Sequence, residues 1–131
     1  MEISPRWWGP RGVFALDSNT TAKAEEFLRH MNHIFTSPIF NRDKNLYFVS
    51  RIKNINTLLM LDLDIDAVIN ILCTLKPQDC FKIEPDKKNK LGNYVFIFLK
   101  LYINTELYIK IKIDDRYDDK IICISFHEAE Y

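Results

Sequence analysis

Residues 93–131 read NYVFIFLKLYINTELYIKIKIDDRYDDKIICISFHEAEY, and the fold turns on how this stretch is read. Three runs rich in Ile, Val, Leu, Phe and Tyr are separated by two polar breaks, Asn104-Thr105 and Asp114 to Asp119. β-branched and aromatic side chains suit a pleated surface, and short polar breaks suit turns. The spacing predicts an antiparallel meander of three strands over 94–103, 106–113 and 120–127.

The middle run alternates. Leu107, Ile109, Ile111 and Ile113 fall on one face, and Tyr108, Lys110 and Lys112 on the other. Strict alternation in the third run puts Ile122, Ile124 and Phe126 on one face and Ile121, Cys123, Ser125 and His127 on the other. With the apolar faces turned the same way, Tyr108, Lys110, Lys112, Ser125 and His127 share one open surface. A phenol, ammonium groups and an imidazole on a rigid sheet have the chemistry to bind and cleave a phosphodiester. Alternation is also ordinary for any half-buried sheet, whose wet face carries such residues without a catalytic role.

The 131 residues suit one domain with a short appendage. Residues 1–18 hold both tryptophans, Pro5, Pro10, Gly9 and Gly12, which argue against regular structure and for an arm or tail. Residues 19–131 are expected to form a single α+β domain. No run of 18 apolar residues predicts a membrane span. The first residues, MEISPRWWGPRG, lack the pattern of a secretory signal. Cys73, Cys80 and Cys123 are odd in number and widely spaced, with no CxxC and no Cys/His cluster. They read as reduced thiols of a cytoplasmic protein that needs no metal or other cofactor.

Formal net charge is +0, so no global field draws nucleic acid. Locally the balance shifts. Between Lys82 and Lys112 seven lysines stand against three acids, and from Ile113 onward six acids stand against Arg116 and Lys120. A basic surface inside a neutral molecule fits this distribution, as do solvated turns and strand faces.

The rest of the chain reads as helices leading into the sheet. Ala24, Phe27, Leu28, Met31, Ile34 and Phe35 form one apolar stripe over 20–35, with Ser18, Asn19 and Thr20 as cap candidates. His30 and His33 share a face of that helix, without a nearby carboxylate in sequence, and read as exposed. LYFVS at 46–50 is a short strand candidate. Helical pieces over 56–61 and 66–75 meet at Asp62-Leu63-Asp64, with Asp64 the expected N-cap. The acids of LDLDID therefore read as turn and cap residues rather than metal ligands. Pro77 opens a short turn, and EPDKKNKLGN reads as a loop into the sheet.

This order of residues resembles the MqsR-type toxins, the motility quorum-sensing regulator family of bacterial toxin–antitoxin systems. The segments that carry the resemblance are RIKNINTLLMLDLD at 51–64, LKPQDCFK at 75–82, EPD at 84–86, LYIKIKI at 107–113 and CISFHEAEY at 123–131. They occur in the same order and span about 80 residues, from Arg51 to the end; residues 1–45 lie outside them. The resemblance implies a RelE-like ribonuclease fold, with helices packed on an antiparallel sheet. It also implies an mRNA-cleaving toxin that needs no metal and is neutralised by a cognate antitoxin. Residue by residue, the lysine of the family's Asp-aromatic-aromatic-Lys motif matches Lys82 in DCFK. The tyrosine of its Val-Tyr-x-Lys motif matches Tyr108 in LYIK, and the residue after its Ser-Phe matches His127. The family's glutamine in the preceding strand has no match near Val95, and its tryptophan there is Phe96.

RNA supplies its own nucleophile, the 2′-hydroxyl beside each phosphate. Imidazole ordinarily titrates near neutrality, so His127 is the candidate for proton transfer. Tyr108 offers a second proton or a hydrogen bond. Lys82, with Lys100, Lys110 or Lys112, offers positive charge to the phosphate. Tyr94 and Tyr102 are candidates to stack a base. The competing expectation is a catalytically silent RelE-like protein-binding module, favoured by zero net charge and the missing glutamine.

Overall fold

The computed structural model describes residues 18–87, 93–116 and 119–130. Expectations that fall on residues 1–17, including the arm, lie outside that range. In chain order the elements are α1 (Ser18–Thr36), α2 (Arg42–Asn45), β1 (Leu46–Phe48), α3 (Ile52–Leu61), α4 (Ile65–Cys73), a 3-10 turn (Pro77–Asp79), β2 (Cys80–Pro85), β3 (Tyr94–Tyr102), β4 (Thr105–Asp114) and β5 (Lys120–Glu128). The fold class is α+β, with helices against a mixed five-stranded sheet of order β1-β5-β4-β3-β2.

The three C-terminal runs form β3, β4 and β5, which pair antiparallel in sequence order. Two further strands extend them. β1 adds to β5 in parallel, through Leu46 opposite Ile121 to Phe48 opposite Cys123. β2 pairs antiparallel with β3, so the residues after the Pro77 turn form an edge strand that takes in Glu84 and Pro85, the first two residues of the expected loop. Its sequence, CFKIEP, hides this. The register shifts between Cys80 and Lys82, and Pro85 closes the strand. Proline tolerates a strand end at a sheet edge, where no partner needs its missing N–H.

The β3–β4 hairpin turns on Ile103 and Asn104, between the paired Tyr102 and Thr105. Both turn residues have positive φ, 45° and 64°. That is the twist of a two-residue type I′ turn. Asparagine tolerates it; a β-branched isoleucine is strained there.

The core lies on one side of the sheet. α1 contributes Ala24, Phe27, Leu28, Met31 and Ile34, and α4 contributes Val68, Ile71 and Leu72. Facing them are Phe96 and Phe98 of β3, Leu107, Ile109 and Ile111 of β4, and Ile121, Cys123 and Phe126 of β5. Phe27 stacks on Phe96 with ring centroids 4.1 Å apart. Each such fully buried side chain contributes about 1.5–3 kcal/mol of transfer free energy. Asp64 caps α4, its carboxylate accepting from Ala67 N at 2.8 Å. Asp62 ends α3 in the left-handed region, its N–H reaching the Leu58 and Leu59 carbonyls. These caps account for two acids of LDLDID, and Asp66 pairs with Arg42 at 2.9 Å. No described helix is long and apolar enough to cross a membrane.

The faces of β5 differ from strict alternation. Ile121, Cys123 and Phe126 are all fully buried on the helix side. The pairing explains this. Ser125 lies opposite Lys110 and Cys123 opposite Ile111, so Ile124 is an extra, unpaired residue. A β-bulge of this kind reverses the face of every residue beyond it. Ile122 and Ile124, expected in the core with Phe126, are only half-buried.

α3 starts at Ile52, four residues before the expected helix, and lies along β5 where β1 has ended. Its inward residues are polar. Asn54 is fully buried and Thr57 nearly so, while Ile52 and Leu59 face solvent. Asn54 Nδ2 donates to the Val49 and Ile124 carbonyls at 2.9 and 3.0 Å. Phe126 N donates to Asn54 Oδ1 at 3.0 Å, and Glu128 N to Thr57 Oγ1 at 3.3 Å. The helix thus supplies by side chains the ladder bonds that a longer β1 would have made. An unmet buried amide or carbonyl would cost about 1–3 kcal/mol.

Candidate functional site

The sheet face away from α1 and α4 collects most of the chemistry-bearing residues. β4 presents Tyr108, Lys110 and Lys112 there; β5 presents His127 opposite Tyr108, Ser125 opposite Lys110 and Ile122 opposite Lys112. β3 presents Val95, Ile97 and Leu99, and β2 presents Lys82 opposite Ile97 and Glu84 opposite Val95. These β3 residues are buried, as are Phe96 and Phe98 between them, so β3 is apolar on both sides over 95–99. Ile97 lies between Lys82 and Lys110, whose aliphatic stems suit such a neighbour.

Tyr108 and His127 form the aromatic pair of this face. Their rings stack with centroids 5.4 Å apart and planes inclined by 15°. His127 Nδ1 lies 2.9 Å from the carbonyl oxygen of Glu128. A carbonyl only accepts, so Nδ1 carries the proton of this bond. Nε2 of the neutral ring is therefore the nitrogen left to take up a proton. Burial, then the Glu84 charge, raises the Tyr108 phenol above its ordinary range against the opposing effect of Lys82. It stays protonated at neutral pH and acts as a hydrogen-bond donor. Beside His127, a groove of about 180 Å³ runs between α3 and the end of β5, lined by Lys53, Asn56, Met60 and Glu130 among others.

The lysines of the face are paired. Glu84 lies between Lys82 at 3.2 Å and Lys110 at 3.5 Å. The hydrogen bond from Lys82 and the charges of Lys110 and Lys82 hold its carboxyl below the usual range. Lys112 binds the buried Asp86 at 3.0 Å. The EPD segment that read as loop thus returns two carboxylates to the basic surface. The alternation of Lys82 and Glu84 was the available signal for their shared face. Ser125 is buried rather than open.

Four expected residues lie away from the stacked pair. Lys82 sits on β2, three strand spacings or roughly 14 Å from β5. Lys100 points to the helix side with its partner Leu107 and is 3.9 Å from Asp79. Tyr102 packs half-buried against the core cluster. Tyr94 is also on the helix side, with Lys23 Nζ 4.5 Å above its ring. Tyr108, Lys110 and His127 are the candidates that the sheet brings together.

Other reactive groups have structural settings. Cys80 and Cys123 are free and buried, and burial pushes their thiols up to about 11 and about 12. His30, expected without a carboxylate, lies 3.5 Å from Asp119; His33 is exposed. Among the described residues no three His, Cys, Asp or Glu side chains are grouped as metal ligands. Asn54 and Thr57, absent from the expected site, support the strand that carries His127. In comparisons with protein-family models, with curated proteins and with solved structures, nothing matches this chain.

Proposed function

We propose that this chain is a metal-independent endoribonuclease of the MqsR toxin kind, on a RelE-like fold, that cleaves mRNA and is neutralised by a cognate antitoxin. The observation that carries the reading is the stacked Tyr108–His127 pair with Nε2 of the imidazole left as base, beside Lys110. The segment resemblance adds to it, since Tyr108 and His127 fall on two of the family's motif positions.

In this reading His127 Nε2 takes the proton of the 2′-hydroxyl. The oxygen attacks phosphorus, the bond to the 5′-oxygen breaks, and the departing oxygen takes a proton from solvent. The products are a 2′,3′-cyclic phosphate and a 5′-hydroxyl. General base catalysis contributes roughly 10²–10⁴-fold. The Tyr108 phenol donates to a phosphoryl oxygen as charge builds, and Lys110 adds its ammonium. Lys82 stands farther out, where it meets a neighbouring phosphate rather than the scissile one. Incubation of the purified protein with single-stranded RNA in EDTA, followed by analysis of the ends produced, tests the reading.

A second reading has its own observation. Glu84 and Asp86 already pair with Lys82, Lys110 and Lys112 and cancel two of their three charges, as suits a surface that grips a protein rather than RNA. That is the silent RelE-like binding module. Absence of cleavage together with complex formation with a protein partner would favour it.

A further inference from the structure

We infer that Asn54, on α3, is the positioning residue that turns His127 onto the Tyr108 face. Its catalytic consequence rests on the nuclease reading; its geometric consequence does not.

The argument starts from phase. Ile121 and Cys123 point to the helix side and are fully buried. Continued alternation would send Ser125 and His127 to that same side and Phe126 to the open side. The extra Ile124 reverses the phase, so Phe126 is fully buried and His127 lies opposite Tyr108. A bulge leaves backbone groups without ladder partners. β1 pairs no further than Cys123, and Val49 N donates to the Cys123 carbonyl at 3.0 Å. Beyond that point the outer edge of β5 depends on α3.

Asn54 meets that need with both ends of one amide. Its Nδ2 donates to Ile124 O at 3.0 Å and its Oδ1 accepts from Phe126 N at 3.0 Å. The same Nδ2 donates to Val49 O at 2.9 Å, which ties the clamp to the end of β1. The two β5 contacts flank Ser125 and straddle the turn-over of the strand. A fully buried amide with these partners is not replaceable by an apolar side chain, because Ile124 O and Phe126 N would lose these bonds, while Val49 O keeps the one from Arg51 N. Thr57, one turn along α3, meets Glu128 N beyond His127 and does not touch the bulge. The clamp on the bulge is therefore the specific work of Asn54.

The test compares Asn54→Ala with Thr57→Val, each lacking one side chain that bonds the β5 edge. NMR spectra of histidine-labelled protein report the ring-current effect of Tyr108 on His127. We expect wild type and T57V to keep that effect, and N54A, still folded by circular dichroism, to lose it. If N54A does not fold, N54D keeps the acceptor for Phe126 N, lacks the donor to Ile124 O, and is read in the same way. In RNA cleavage the expected change for N54A is a fall in kcat of roughly 10²-fold, the scale of a misplaced catalytic group, with KM little altered. An unchanged His127 signal in folded N54A, or in N54D where N54A does not fold, overturns the inference. A wild type that does not cut RNA overturns the nuclease reading alone, since the spectra still decide the role of Asn54.

Discussion

The imidazole of His127 lies nearly parallel to the ring of Tyr108, the two centroids 5.4 Å apart across directly paired positions of β5 and β4. The ring limits where the imidazole can swing, and the Glu128 carbonyl fixes which nitrogen carries the proton. Two effects on one side chain separate by substitution. Tyr108→Phe keeps the stack and removes the phenol, so RNA cleavage should fall modestly, about 10-fold. Tyr108→Ala removes both and should fall further, with the His127 ring-current shift lost. Equal rates for the two variants would show that the ring has no part in holding the imidazole.

Glu84 is the anion that Lys82 and Lys110 already hold. Phosphates must compete with it for both ammonium groups. Glu84→Gln should therefore tighten binding to a short single-stranded RNA at low salt. It should also steepen the fall of log affinity with log salt, by about 0.7 for each additional phosphate that the freed lysines neutralise on a single strand. Fluorescence anisotropy over a salt series measures both. An unchanged slope would mean that these lysines do not meet phosphate.

Ile103 holds a φ of 45° in the β3–β4 turn while its side chain is exposed. Strain of this kind typically costs about 1–3 kcal/mol. Ile103→Asn matches the residue to a type I′ turn and gives up little burial. We expect a gain of about 1 kcal/mol, read as a higher midpoint in urea with an unchanged slope.

Much of the sheet was legible because β3 and β4 alternate or run apolar over nine and ten residues. α4 was legible from its stripe and from the Asp64 cap. β2 was not, because a six-residue edge strand with a register shift and a proline gives no sustained period. The open face of His127 followed from strict alternation with Phe126 turned into the core, but the same alternation put Ile121 and Cys123 on the open side, where both are in fact buried. A single extra residue, Ile124, reconciles the two, and nothing local in KIICISFHE marks it. Its support comes from Asn54, about 70 residues earlier, a contact that only the folded chain displays. The burial of β3 on both faces over 95–99 also hid the orientation of Tyr94, Lys100 and Tyr102, since five successive apolar residues leave no period to read.

Asp114 is held at about 2, chiefly by the side-chain hydrogen bonds from Arg116 and then by the Arg116 backbone N–H. Its folded value lies below its ordinary 3.8. The carboxylate therefore stabilises the fold above about pH 4, and this contribution is lost as the pH falls toward 2. Arg116 is half exposed, so solvent screening keeps the effect small, below about 1 kcal/mol. Asp114→Asn should flatten the decline in stability between pH 4 and pH 2 and leave stability at pH 7 slightly reduced. Urea midpoints across that range check it; parallel curves for the two proteins would assign the acid sensitivity elsewhere.

The decisive measurement is the rate of RNA cleavage by wild type and by His127→Ala, both in EDTA, with the new ends analysed. His127 is a half-buried side chain on a surface strand, so its truncation should shift stability little, by less than about 0.5 kcal/mol. Wild type should cut single-stranded RNA to leave 2′,3′-cyclic phosphate and 5′-hydroxyl ends. H127A should be slower by roughly 10²-fold or more, the scale of a lost general base. Cleavage by H127A at the wild-type rate would remove His127 from the chemistry, and no cleavage by folded wild type would leave the sheet face as a binding surface alone.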